Sequence, residues 1–91
     1  KKAFETGVLY MKMEEYDSAK LSFQIILDKF YDTSFLAPSI KEMAIALAKN
    51  REFEDASSFL LSNKKNLTEN HLYDEANSAV DQIRSKLLKQ Q

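Results

Sequence analysis

His71 is the one histidine of the chain, and Glu75 follows it at i+4 with Asp74 alongside. On a helix that spacing puts an imidazole and a carboxylate on one face, as two ligands of a divalent metal require. A polar helix surface carries such pairs without holding any ion, so no metal site is assigned. A nucleophilic relay would need a serine beside His71 and a carboxylate to orient the ring. Ser57, Ser58, Ser62 and Ser78 are available by type, but no glycine elbow or oxyanion loop accompanies them. Glu14-Glu15 and Glu54-Asp55 stand where helices are expected to start, and carboxylates there answer the positive end of the helix dipole. Lys64-Lys65 is a short basic cluster, and Arg84, Lys86 and Lys89 lie where a helix C-terminus favours positive charge. These residues predict no catalytic centre, no cofactor and no nucleic-acid partner. The competing catalytic or metal-dependent reading centres on His71, and it requires loss of activity in His71→Ala.

The composition narrows the field further. In 91 residues there are one Gly, one Pro, no Cys and no Trp. So little turn chemistry cannot serve a sandwich or barrel, and it excludes glycine-rich phosphate loops. Without cysteine there is neither a disulfide framework nor a thiolate metal site. Thirteen basic and fourteen acidic residues leave a net charge of -1, with no pull toward nucleic acid or an anionic membrane. No stretch approaches the roughly 20 apolar residues of a membrane span. The length allows one domain. Because the sequence opens on Lys1-Lys2-Ala3-Phe4 with no initiator Met, the N-terminus reads as a processed or trimmed end, with any targeting sequence upstream.

Apolar spacing of three and four residues predicts an all-α fold. Phe4, Gly7, Val8 and Met11 mark a first helix from about residue 2 to 13, and Ala19, Phe23, Ile26, Leu27 and Phe30 a second. Asp32, Thr33 and Ser34 are cap residue types ahead of a third helix through Leu36, Ile40, Met43, Ala44 and Leu47, with Pro38 in its first turn. Phe53, Ala56, Phe59 and Leu60 mark a fourth. Asn66 and Glu69 have the spacing of a capping box, from which one closing helix is expected over 66–90.

An internal repeat is the most informative feature. Tyr16-Asp17-Ser18-Ala19 and Phe53-Glu54-Asp55-Ala56 are one phrase written twice, 37 residues apart. The same offset pairs Gly7 with Ala44, Val8 with Ile45, Tyr10 with Leu47, Lys12 with Lys49 and Phe23 with Leu60. A fixed period in this range signals stacked helix pairs that bury their faces on one another. Gly7 within a helix costs about 1 kcal/mol relative to Ala, so a close helix crossing is expected there. The packing positions are then Gly7, Tyr10, Ala19 and Phe23 in repeat 1 (2–33), and Ala44, Leu47, Ala56 and Leu60 in repeat 2 (34–65).

That order of small residue, aromatic, alanine and large apolar residue resembles the tetratricopeptide repeat. The period of 37 exceeds the usual value of about 34, and Ala3 and Ile40 replace the customary Trp. The resemblance implies a right-handed stack of two antiparallel helix pairs, closed by a long capping helix. The run Phe23-Gln24-Ile25-Ile26-Leu27-Asp28-Lys29-Phe30-Tyr31-Asp32-Thr33-Ser34 is similar to the D-component lipoproteins of the bacterial outer-membrane β-barrel assembly machinery, with Tyr31 where that family usually has Pro. It implies a non-enzymatic scaffold on the periplasmic face of the outer membrane, held by a lipid anchor upstream. Its partners would be the periplasmic domains of the barrel-forming assembly protein, or unfolded outer-membrane protein segments. The alternative is a generic cytoplasmic repeat adaptor or secretion chaperone.

In a stack of helix pairs the first helix of each pair lines the concave face. Phe4, Val8, Met11 and Lys12, then Lys41, Ile45 and Lys49, are the expected contact residues there. They form an apolar strip edged by lysine that suits an acidic segment. Ile83, Leu87 and Leu88 of the closing helix are the second expected contact surface.

Overall fold

The computed structural model describes residues 2–29 and 34–90. The apolar periodicity folds into six helices: α1 (Lys2–Lys12), α2 (Tyr16–Lys29), α3 (Leu36–Lys49), α4 (Phe53–Ser62), α5 (Lys64–Glu69) and α6 (Tyr73–Lys89). Among the described residues there is no strand.

One local device joins the helices in pairs. Glu14, Arg51 and His71 take left-handed backbone conformations, with φ of 59°, 66° and 61°. Behind each, the next residue's N–H closes back on the preceding helix: Glu15 to the Tyr10 carbonyl at 2.9 Å, Glu52 to Leu47 at 2.8 Å and Leu72 to Leu67 at 2.8 Å. A second bond accompanies each, from Glu14 to Met11, Arg51 to Ala48 and His71 to Thr68. These paired bonds are the Schellman arrangement, which caps one helix and turns the chain into the next. Glycine is the usual occupant of the left-handed position, but here Glu, Arg and His occupy it.

The turns reveal a third copy of the repeated phrase. Tyr73-Asp74-Glu75-Ala76 opens α6 as Tyr16-Asp17-Ser18-Ala19 opens α2 and Phe53-Glu54-Asp55-Ala56 opens α4. The phrase-ending Ala19, Ala56 and Ala76 are all fully buried. From Ala56 to Ala76 the offset is 20 rather than 37, and the six-residue α5 is the first helix of this shortened pair.

The expected single helix over 66–90 is therefore two helices with a turn at 70–72. Asn66 does not cap it but lies inside α5, where its backbone carbonyl accepts a bond from the Asn70 side chain at 2.8 Å. No glycine or proline breaks this segment, and the turn is made by the Leu72-to-Leu67 closure over the buried Leu67. At the start of α3 the N-cap position is held by Phe35 and not by Ser34, so Ser34 does not act as expected. Phe30, Asp32 and Thr33 lie outside the described residues. Pro38 is the third residue of α3, where its missing N–H leaves no helical bond unmade.

Helix α3 is the axis of the packing and touches all five other helices. Its Met43 joins Ala19, Phe23 and Ile26 in a cluster beneath α1 and α2. Its Ile40, Ala44 and Ala48 join Ala56, Leu60, Leu67, Ala76 and Val80 in a second cluster with α4, α5 and α6. Leu27, Leu47 and Phe59 pack against both, which makes one continuous core. Alanines on the facing surfaces let the backbones approach closely, while Phe23 and Leu60 fill the remaining space.

Candidate protein-binding surfaces

Between α2 and α4, over the floor made by α3, runs an open groove of about 490 Å³. Leu21 and Gln24 form one wall, Met43 and Leu47 the floor, and Phe59 the other wall. Leu21 is 70% exposed, so an apolar side chain stands in water at the groove lip. Helix α2 supplies it because its buried face (Ala19, Phe23, Ile26) is only part of its apolar surface, and Leu21 and Ile25 project outside it. The groove stays open because α2 and α4 are each seated on α3 rather than on each other.

Asp17 and Lys20 give this groove a polar end. The Lys20 ammonium donates to both Glu52 oxygens, at 2.7 and 3.1 Å, and lies 3.2 Å from Asp17. Asn50 donates from its amide to Glu52 at 2.6 Å and to Asp17 at 3.2 Å. The network ties the start of α2 to the α3–α4 turn. The Lys20 hydrogen bond holds the Glu52 carboxyl below its ordinary range. Burial acts to lower the Lys20 pKa, but the hydrogen bonds to Glu52 and Asp17 outweigh it and raise the pKa above the usual lysine value.

The residues expected on a concave face are divided among different environments. Phe4, Val8 and Met11 are half-buried against the α1–α2 cluster, and the Phe4 ring lies 5.8 Å from Phe23 and 5.5 Å from Phe35, centre to centre. Phe4, Val8 and Lys12 also line a shallow depression on the outside of α1 with Glu5 and Leu9. Lys41 is ion-paired with Glu75 of α6. Ile45 is half-buried and Lys49 exposed. Beside them Glu42 is half-buried, and that burial pushes its carboxyl upward against the opposing pull of Lys41 and Lys49.

On the closing helix, Ile83 packs against the core, Leu87 is half-buried and Leu88 is exposed. The packing positions all face inward: Gly7, Ala19, Phe23, Ala44, Ala56 and Leu60 are buried, and Tyr10 and Leu47 half-buried. His71 lies in the α5–α6 turn and not on a helix, so it does not share a helical face with Glu75, whose carboxylate is engaged by Lys41. Among the described residues no three His, Cys, Asp or Glu side chains cluster as metal ligands would. No described helix is long and apolar enough to cross a membrane.

The groove residues were not expected as a site, because Leu21 and Phe59 read in sequence as ordinary members of amphipathic helices. The signal was the excess of apolar residues on α2, where Leu21 and Ile25 exceed what one buried stripe can hold. No protein-family model, curated protein or solved structure matches the chain.

Proposed function

We propose that this chain is a non-enzymatic protein–protein interaction scaffold, a tetratricopeptide-like right-handed stack of helix pairs. The observation that carries the reading is the groove between α2 and α4. There Leu21, Met43, Leu47 and Phe59 offer a continuous apolar floor and lip, with charge confined to the Asp17 and Lys20 end. A helical or extended segment laid along it gains affinity from apolar burial and orientation from the polar end. The three pairs held by one turn type give the rigid frame that such a groove needs.

The resemblance of the repeat phrases to the outer-membrane assembly lipoproteins supports a specific partner. That partner is the periplasmic domains of the barrel-forming assembly protein, bound on the periplasmic side of the outer membrane. Calorimetric titration of those domains into the 91-residue protein tests this reading. Leu21→Asp is expected to weaken binding at least tenfold, because a buried uncompensated carboxylate costs more than the 1.4 kcal/mol that tenfold represents. Undiminished binding in Leu21→Asp overturns the groove assignment. Absence of binding by the unsubstituted protein overturns the choice of partner.

A further inference from the structure

The outer face of α1 is exposed, whereas its counterpart on α3 is covered. On α3, Ser39, Met43, Ala46 and Asn50 form a stripe at helical spacing, and Met43 packs into the cluster of the first helix pair. Shifting by the repeat offset of 37 maps Ala46 onto Leu9 and Asn50 onto Met13. Ala46 is completely buried, whereas Leu9 and Met13 are each 56% exposed. The α1 face therefore has the character of a helix-seating surface on which no described residue is seated. The outer face of helix α6 differs, since its depression is lined by Asp81, Gln82, Ser85, Lys86 and Lys89.

The charges on α1 identify the occupant. Glu5 and Lys12 flank Val8 and Leu9 in the same depression, two helical turns apart, and neither makes an ion pair among the described residues. Their midpoint falls between Val8 and Leu9. When a second α1 is laid antiparallel across this midpoint, Glu5 of each copy faces Lys12 of the other, and Leu9 of each copy meets Val8 of the other.

We propose that this face binds a second copy of the chain, as a twofold-symmetric antiparallel α1–α1 dimer. A twofold interface requires one patch that complements itself, and this charge order does so. One helix about 16 Å long and about 10 Å wide covers well under the roughly 800 Å² per partner of a standard interface. The dimer accordingly belongs to the weak, concentration-dependent class. It is separate from the groove between α2 and α4, and neither proposal depends on the other.

Sedimentation equilibrium of the whole protein from micromolar to millimolar concentration tests it, with circular dichroism confirming that each variant is folded. The unsubstituted protein is expected to dimerise at the upper end. Glu5→Lys alone and Lys12→Glu alone each place like charges opposite one another twice, and each should weaken dimerisation about tenfold. Mixing the two single variants restores opposite charges at both contacts, so the mixture should dimerise where neither component does. The double variant Glu5→Lys/Lys12→Glu should dimerise as the parent does. A parent that stays monomeric throughout overturns the proposal. So do single variants that dimerise normally, or a mixture that fails to associate.

Discussion

Gly7 lies directly under the edge of the Phe23 ring: a methyl group built on its Cα would come within 2.6 Å of Cε1, 2.7 Å of Cζ and 2.9 Å of Cδ1. Phe23 is fully buried and wedged against Phe4, so the ring has little freedom to retreat. Gly7→Ala is expected to lower stability by up to about 2 kcal/mol. Overpacking costs about 1–3 kcal/mol, and the better helix propensity of alanine returns about 1 kcal/mol. In the Phe23→Leu background the ring is gone, so the same substitution should become neutral or stabilising. Urea denaturation of the four proteins of this cycle checks the coupling.

The Lys20–Glu52 bond sets a pH dependence. Because the folded Glu52 carboxyl sits below its unfolded value of 4.5, its contribution is complete above that value and lost as pH falls through the folded one. Lys20 is raised above 10.5, so its contribution is complete below that value and lost as pH rises through the folded one. Glu52→Gln should destabilise the protein by about 1 kcal/mol or less at neutral pH, as for other partly exposed pairs. At about pH 3 the difference from the parent should have shrunk, which denaturation at the two pH values would register.

Glu42 has the opposite sign. Burial raises its folded pKa above 4.5, so its contribution to stability is present below that value and lost as pH rises through the folded one. Glu42→Gln removes the buried charge and should raise Tm by a few degrees at neutral pH. In acid, where the parent's carboxyl is already protonated, the two proteins should melt together. Parallel melts across pH 3 to 7 distinguish this from a general packing effect, which would persist at every pH.

The left-handed turn residues predict an unusual gain. His71→Gly should stabilise the protein by about 0.5–1 kcal/mol, since relief of the left-handed Cβ penalty of about 1–2 kcal/mol exceeds the entropic cost of glycine. His71→Ala keeps the Cβ and should give no such gain. Arg51→Gly is expected to behave likewise, and the two gains should add because the turns are separate. Chemical denaturation of the single and double variants measures both points.

The helical architecture was legible because burial follows the three- and four-residue spacing almost everywhere, and Gly7 and Ala44 declared their close contacts by size alone. The third pair was missed for a definite reason. Its phrase Tyr73-Asp74-Glu75-Ala76 is in plain view, but it recurs at 20 residues rather than 37, and no glycine or proline marks the turn at His71. No sequence rule marks a left-handed position held by Arg or Glu in place of Gly. The groove depends on how far apart α3 holds α2 and α4, which is a property of packing and not of any one segment. Lys41 read as a free groove edge, and its partner Glu75 is 34 residues away in a helix pair that had not been identified.

Methyl NMR during titration with the barrel protein's periplasmic domains tests the central claim most directly. Leu21, Met43 and Leu47 report the groove, while Leu61 and Leu88 are exposed apolar residues outside its lining. The scaffold reading predicts shifts or broadening concentrated at Leu21, Met43 and Leu47, with Leu61 and Leu88 unmoved. Saturating binding that perturbs Leu61 or Leu88 and leaves the groove methyls unchanged would contradict it.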